Sequence, residues 1–147
     1  MAASFRQTRL RRLGDRLIAP LARLGLAGQR THVLTVRGRK SGRPYSTPVQ
    51  LVSDERGRWL VAPYGEREWV KNARAAGEVE LTRARRTTRC AIEEVGPEDA
   101  APVLRKYLRT TPIVKPYFDA SADAPLEAFA AEAARHPVFR LRQEPQR

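Results

Sequence analysis

The sequence predicts an α+β fold, a small six-stranded antiparallel β-barrel with helices packed on its outside. Three observations carry this. Six short runs, at residues 31–37, 45–53, 58–63, 78–83, 87–95 and 138–143, alternate apolar and polar residues or are rich in β-branched ones. Helical patterns at 68–76, 97–109 and 125–135 fall between the later strands. At 147 residues the chain has room for one real core, and six strands around one core close most economically as a barrel.

The first two strands, THVLTVR and YSTPVQLVS, flank Gly38-Arg39-Lys40-Ser41-Gly42-Arg43-Pro44 and read as a β-hairpin. Asp54-Glu55-Arg56-Gly57 turns the chain into RWLVAP, the third strand, and Tyr64–Arg67 is a loop. EWVKNARAA follows as a short helix with Gly77 as its stop. EVELTR places Val79 and Leu81 on one face, Ala84-Arg85-Arg86 turns, and TTRCAIEEV places Cys90 and Ile92 inward. Cys90 therefore reads as a small buried apolar residue. The helix at 97–109 opens on a proline and two acids, and the helix at 125–135 is alanine-rich. The closing strand alternates Phe139 and Leu141 with arginines.

Ahead of the barrel, residues 4–26 carry an amphipathic pattern with Leu10, Leu13, Leu17, Leu21 and Leu24 at spacings of three and four and arginines mostly off that stripe. Pro20 kinks or breaks it. The chain is thus divided into an N-terminal amphipathic helix at 1–28 and a barrel domain at 29–147. Packing of that helix on the domain is the first expectation, and peripheral contact with an anionic membrane the second.

Charge is distributed unevenly. The chain holds 28 Lys+Arg against 16 Asp+Glu, a net charge of +12, and residues 1–53 hold 11 of the basic residues and one of the acids. Such a field attracts polyanions. The hairpin tip adds the means to hold one: Arg39, Lys40 and Arg43 supply charge, Ser41 a hydroxyl, and Gly38 and Gly42 a sharp turn whose N–H groups come close to a ligand. Specific nucleic-acid binding is not expected, because single-strand and RNA binders interleave aromatics with basic residues and positions 6–44 contain no Phe, Trp or Tyr.

Other chemistries are poorly supplied. One cysteine and two separated histidines, His32 and His136, cannot make a protein-only zinc site, so no metal is expected. A single cysteine forms no intrachain disulfide and suits a reducing cytoplasm. No apolar run approaches the roughly 20 residues of a membrane span, and no signal peptide is recognised. There is no nucleophile elbow, P-loop or paired-carboxylate motif. That pattern fits an enzyme whose cofactor carries the chemistry.

The basic hairpin with Thr47-Pro48, the strand ending at Ala62-Pro63, the Gly65 loop, and Trp69-x-x-Asn72 on a short helix occur here in one order and spacing. In this the chain resembles, over about residues 29–143, the deazaflavin-dependent nitroreductase family, actinobacterial split β-barrel oxidoreductases that use coenzyme F420. The resemblance implies a split barrel. It implies that Arg39, Lys40, Ser41 and Arg43 hold the coenzyme's phosphate and oligoglutamate tail. It places the backbone of Thr47, Pro48 and Val49 near the deazaflavin edge, and Ala62, Pro63, Tyr64 and Gly65 along the ring. Trp69 stands beside the cofactor, Asn72 fixes the short helix, and Tyr64 or solvent serves as the catalytic proton source. The expected reaction is hydride transfer to a small quinone, enone or nitro acceptor by a cytoplasmic monomer or homodimer. The alternatives are an FMN-binding relative and a non-redox lipid- or fatty-acid-binding member. The sequence departs from the family pattern at Tyr64, where relatives often have lysine, and at Val70, which replaces an aromatic. The family's tyrosine-rich substrate segment is reduced to Tyr107, Tyr117 and Phe118.

Overall fold

A computed structural model describes residues 31–143. The amphipathic segment at 4–26 and the division at residue 28 lie outside the described residues. Six strands, β1 (Thr31–Arg37), β2 (Pro44–Asp54), β3 (Gly57–Val61), β4 (Glu78–Arg83), β5 (Arg86–Glu94) and β6 (Val138–Gln143), form a closed barrel in the order β1-β2-β3-β6-β5-β4. Every pairing is antiparallel. Helices α1 (Glu68–Ala76), α2 (Pro97–Thr110) and α3 (Leu126–Glu132) complete the α+β architecture that the sequence predicts.

The barrel is split on one side. β2 pairs with β1 from Pro44 to Gln50, but with β3 only from Leu51 to Asp54. The 44–50 stretch is therefore a sheet edge toward β3. Pro44 and Pro48 are tolerated there because an edge strand can forgo ladder donors.

Two cores flank the barrel wall. Leu34, Val36, Leu51, Leu60, Val79, Leu81, Cys90 and Phe139 fill the interior, with Cys90 inward as its alternation requires. Val52, Trp59, Val61 and Val138 face the other way and meet Val103, Leu104 and Leu108 of α2 and Phe129 of α3. The short helix α1 is amphipathic, and Val70 and Ala73 sink into the interior cluster, so α1 covers one mouth of the barrel. Gly77 ends it in the left-handed region (φ 73°), donating its N–H to the Ala73 carbonyl at 2.8 Å.

Three elements differ from the sequence-based expectation. β3 stops at Val61, because the Ala62 N–H turns to the Pro137 carbonyl at 2.8 Å and proline at 63 offers no ladder donor. The helix expected at 125–135 is α-helical only to Glu132 and tightens to a 3₁₀ turn over Ala133–Arg135 before Pro137. A 3₁₀ turn spans Pro112–Tyr117, where the sequence patterns assign no element.

Asp54 joins β2 to β3 energetically. Its carboxylate accepts the Trp59 indole N–H at 2.9 Å and the Arg56 backbone N–H at 2.9 Å, and the Arg56 guanidinium stands 3.3 Å away. Burial alone raises the Asp54 pKa, but these hydrogen bonds and the Arg56 charge together hold it below the ordinary value. A depressed carboxyl pKa stabilises the fold above about pH 3.9, the unfolded value, and that contribution is lost as pH falls through the lower folded one. Asp54→Ala is expected to cost about 1.5–3 kcal/mol at pH 7, on the scale of a hydrogen bond to a charged group. Urea unfolding of parent and variant should show the difference shrinking toward acid pH.

Candidate functional site

The residues singled out by the sequence gather at the α1 end of the barrel. The hairpin tip is closed by the Gly38 N–H on the Arg43 carbonyl at 2.8 Å and the Gly42 N–H on the Gly38 carbonyl at 2.9 Å. Gly42 sits in the left-handed region (φ 72°) with open space around it. The Ser41 hydroxyl accepts the Arg43 N–H at 3.1 Å and lies 3.2 Å from the Tyr45 hydroxyl, so it braces the turn. At Gly38 a Cβ would lie 2.6 Å from the Tyr45 ring and 2.9 Å from Ser41 Oγ, so a larger residue there would push these two side chains out of the turn.

Arg39 ties this turn to α1. Its backbone N–H and its Nη1 both donate to Asn72 Oδ1, at 3.1 and 2.8 Å, and Nη1 also meets Glu68 Oε2 at 2.9 Å. Asn72 is 5% exposed, so its carbonyl oxygen is a buried acceptor that the turn satisfies. The resemblance assigns Asn72 to fixing the helix, and here it joins helix and turn. Arg39 acts as a strut, while Lys40 and Arg43 stand exposed at the tip. The Arg39 hydrogen bond holds the Glu68 carboxyl below its ordinary pKa, with the charges of Arg39, Lys71 and Lys40 adding to it. One anion thus already borders the basic turn at neutral pH.

Along the split edge, Thr47 and Pro48 are half-buried and Val49 points into the core, so this stretch presents mainly backbone. Ala62 is buried, and Pro63, Tyr64 and Gly65 form a half-buried loop. Gly65 has φ 87°, and a Cβ there would stand 3.5 Å from the Arg135 carbonyl oxygen. The Tyr64 ring meets Tyr117 edge-on at 4.9 Å. Trp69 is half-buried, its ring 6.3 Å from Phe139 at the end of the barrel core. Among the described residues, Thr47 and Trp69 form no side-chain hydrogen bond.

Sequence reasoning missed a buried pair behind the 62–65 loop. His136 Nδ1 is 2.9 Å from the Pro63 carbonyl oxygen, and Nε2 is 2.8 Å from Glu132 Oε1, with both side chains 3% exposed. A carbonyl only accepts, so Nδ1 donates to Pro63. Glu132 also accepts the backbone N–H groups of Asp119 and Ala120, at 3.2 and 2.8 Å, and Phe118 stacks on the imidazole at 4.0 Å. His136 therefore links the Pro63–Gly65 loop to the Tyr117–Phe118 segment. The spacing of four between Glu132 and His136 was its one sequence signal.

Comparison with known proteins gives the arrangement a family. The model of the F420H(2)-dependent quinone reductase family matches residues 11–122. Among solved structures, the protein Atu2129, of unknown function, from Agrobacterium tumefaciens str. C58 superposes with a TM-score of 0.59 at 18% identity. That match covers 98% of this chain and 60% of that one, so this chain spans less than two thirds of its length. An F420-H2 dependent reductase (FDR-A) matches with a TM-score of 0.54 at 17% identity, over 78% of this chain and 95% of that one. The heme storage protein HutZ from Vibrio cholerae matches with a TM-score of 0.55 at 14% identity, over 80% and 83%. At such identities the likeness establishes the fold alone. No curated protein matches the chain.

Proposed function

The chain belongs to the F420H(2)-dependent quinone reductase family, and from that premise we propose that it binds coenzyme F420 at the α1 end of the barrel and reduces a quinone, enone or nitro acceptor there. The observation that carries the reading is the basic turn held on α1 through Arg39 and Asn72, beside the open edge of β2. The residues present suit the coenzyme. The exposed Lys40 and Arg43 side chains match a phosphodiester and an oligoglutamate tail by charge and by donors, while the N–H groups of Gly38, Arg39, Gly42 and Arg43 are spent on holding the turn. The β2 edge at 44–50 offers backbone groups beside a flat ring, and Trp69, Tyr64 and Tyr117 offer apolar surface.

When bound, the reduced deazaflavin would supply the hydride chemistry, held by the basic turn and the β2 edge. The chain's own residues bind, orient and shield. Lys40 and Arg43 anchor the tail, and Glu68, kept anionic beside them, opposes anions placed too close to α1. Pro63 is held by His136, which sets the height of the Tyr64 loop. Tyr64 offers a phenolic proton on that loop, and water can serve the same step. No side chain needs to act as a nucleophile.

Fluorescence titration of the purified full chain tests this. F420 should bind more tightly than FMN, because only F420 has an oligoglutamate tail to meet the extra basic residues. Equal or tighter FMN binding would overturn the assignment.

A further inference from the structure

α1 covers one mouth of the barrel, and the opposite mouth has a different character. Away from α1, the inward-facing alternation runs Val36, Leu34, His32 on β1 and Val79, Leu81, Arg83 on β4. It runs Cys90, Thr88, Arg86 on β5 and Leu60, Arg58 on β3. The pleat that fills the interior with apolar side chains thus places His32, Arg58, Arg83 and Arg86 on the inner face of the far rim. Together with Leu81 and Thr88 they surround a cleft of about 410 Å³. Arg58 Nη2 reaches to within 3.3 Å of His32 Nε2. A guanidinium only donates, so Nε2 accepts.

This rim differs from the outer wall of the same barrel. Outward arginines meet carboxylates there: Arg89 with Glu78 at 2.6 Å and Arg142 with Glu93 at 2.8 Å. Among the described residues, Arg58, Arg83 and Arg86 form no ion pair and no acidic side chain lines the cleft. Arg83 Nε is buried with no hydrogen-bond partner among the described residues. Three like charges face one space, and a buried donor is left over, which an anion would satisfy together.

A second observation falls at the same rim. Arg83 pairs with Arg86, so Ala84 and Arg85 form a two-residue turn. Both sit in the left-handed region, with φ of 51° and 65°. Asn and Gly are the residues that usually take such a turn, and an alanine and an arginine hold it under strain. Strain of this kind collects at ligand sites.

We propose that this rim is a binding site for a compact phosphate-bearing anion, distinct from the coenzyme site. Several guanidinium forks converging on one cleft suit a multiply charged tetrahedral oxyanion. The six steps from His32 to Gly38 separate the rim from the basic turn by about 20 Å along β1, at roughly 3.3 Å per residue. The phosphate belongs either to a soluble ester or to an anionic phospholipid headgroup, and the recognising chemistry is the same.

Pyrophosphate is the probe, titrated calorimetrically into the full chain in chloride buffer. The parent should bind it. R83Q/R86Q should lose at least tenfold in affinity, while R142Q, on the outer wall, stays within twofold of the parent. F420 binding should be equal in all three, which keeps this site's failure separate from that of the coenzyme assignment. In phosphate-free buffer R83Q/R86Q should melt at or above the parent, because removing like charges relieves repulsion. Co-sedimentation with phosphatidic acid vesicles, whose headgroup is a phosphomonoester, separates the two sources. Vesicle binding that R83Q/R86Q abolishes and pyrophosphate competes supports a headgroup, and pyrophosphate binding without vesicle binding supports a soluble ester. No pyrophosphate binding by the parent, an equal loss in R142Q, or a lower melting temperature for R83Q/R86Q in phosphate-free buffer overturns the site.

Discussion

His136→Ala is expected to destabilise the protein by about 3–5 kcal/mol, the scale of removing one partner from a buried, hydrogen-bonded acid–base pair. The substitution leaves the 3% exposed Glu132 carboxyl with the Asp119 and Ala120 N–H groups and the Arg135 guanidinium 3.9 Å from Oε1, but without the histidine bonded to Oε1 at 2.8 Å. It also removes the donor to the Pro63 carbonyl and the ring on which Phe118 stacks. For a chain of this size a loss on that scale lowers the melting temperature by roughly 10 °C or more. Urea denaturation of parent and variant checks it. A loss below about 1 kcal/mol would mean that Glu132 finds another partner and that the pair does not hold the loop. A milder variant, His136→Gln, can still donate to one acceptor and should fall between the two.

Replacing Lys40 and Arg43 together with alanine should weaken F420 binding by about 2–5 kcal/mol, on the scale of two charge-assisted contacts at roughly 1.5–3 kcal/mol each. Both side chains are exposed at the hairpin tip, so the fold should melt as the parent does. Fluorescence titration reads the affinity and thermal unfolding the stability. If the double variant melts normally and binds the coenzyme as well as the parent, the turn is not the anion site. Arg39 is the less clean choice. Its Nη1 and backbone N–H satisfy the buried Asn72 carbonyl oxygen, so Arg39→Ala unsettles the turn and α1 at once.

Local patterns alone were enough for the barrel. Strand periodicity at residues 31–37 and 78–83, the Gly77 stop and the inward phase of Cys90 are properties of short segments, and each appears in the structure as its pattern requires. The basic turn was equally legible, because glycine spacing and charge are written in consecutive residues. The family followed from the order of such segments.

What the tertiary structure decided is everything that depends on who stands opposite whom. Arg39 looked like one more cation for a ligand, and folding brings it to Asn72, 33 residues away in sequence. His136 looked like a lone histidine, and burial pairs it with Glu132 beneath a loop that begins 73 residues earlier. His32, Arg58, Arg83 and Arg86 lie on four different strands, and only barrel closure turns them toward one cleft. A side chain's local propensity is set by its neighbours in the chain. Its charge partner is set by register and closure, and these are determined by the sum of long-range pairings that no short window of sequence contains.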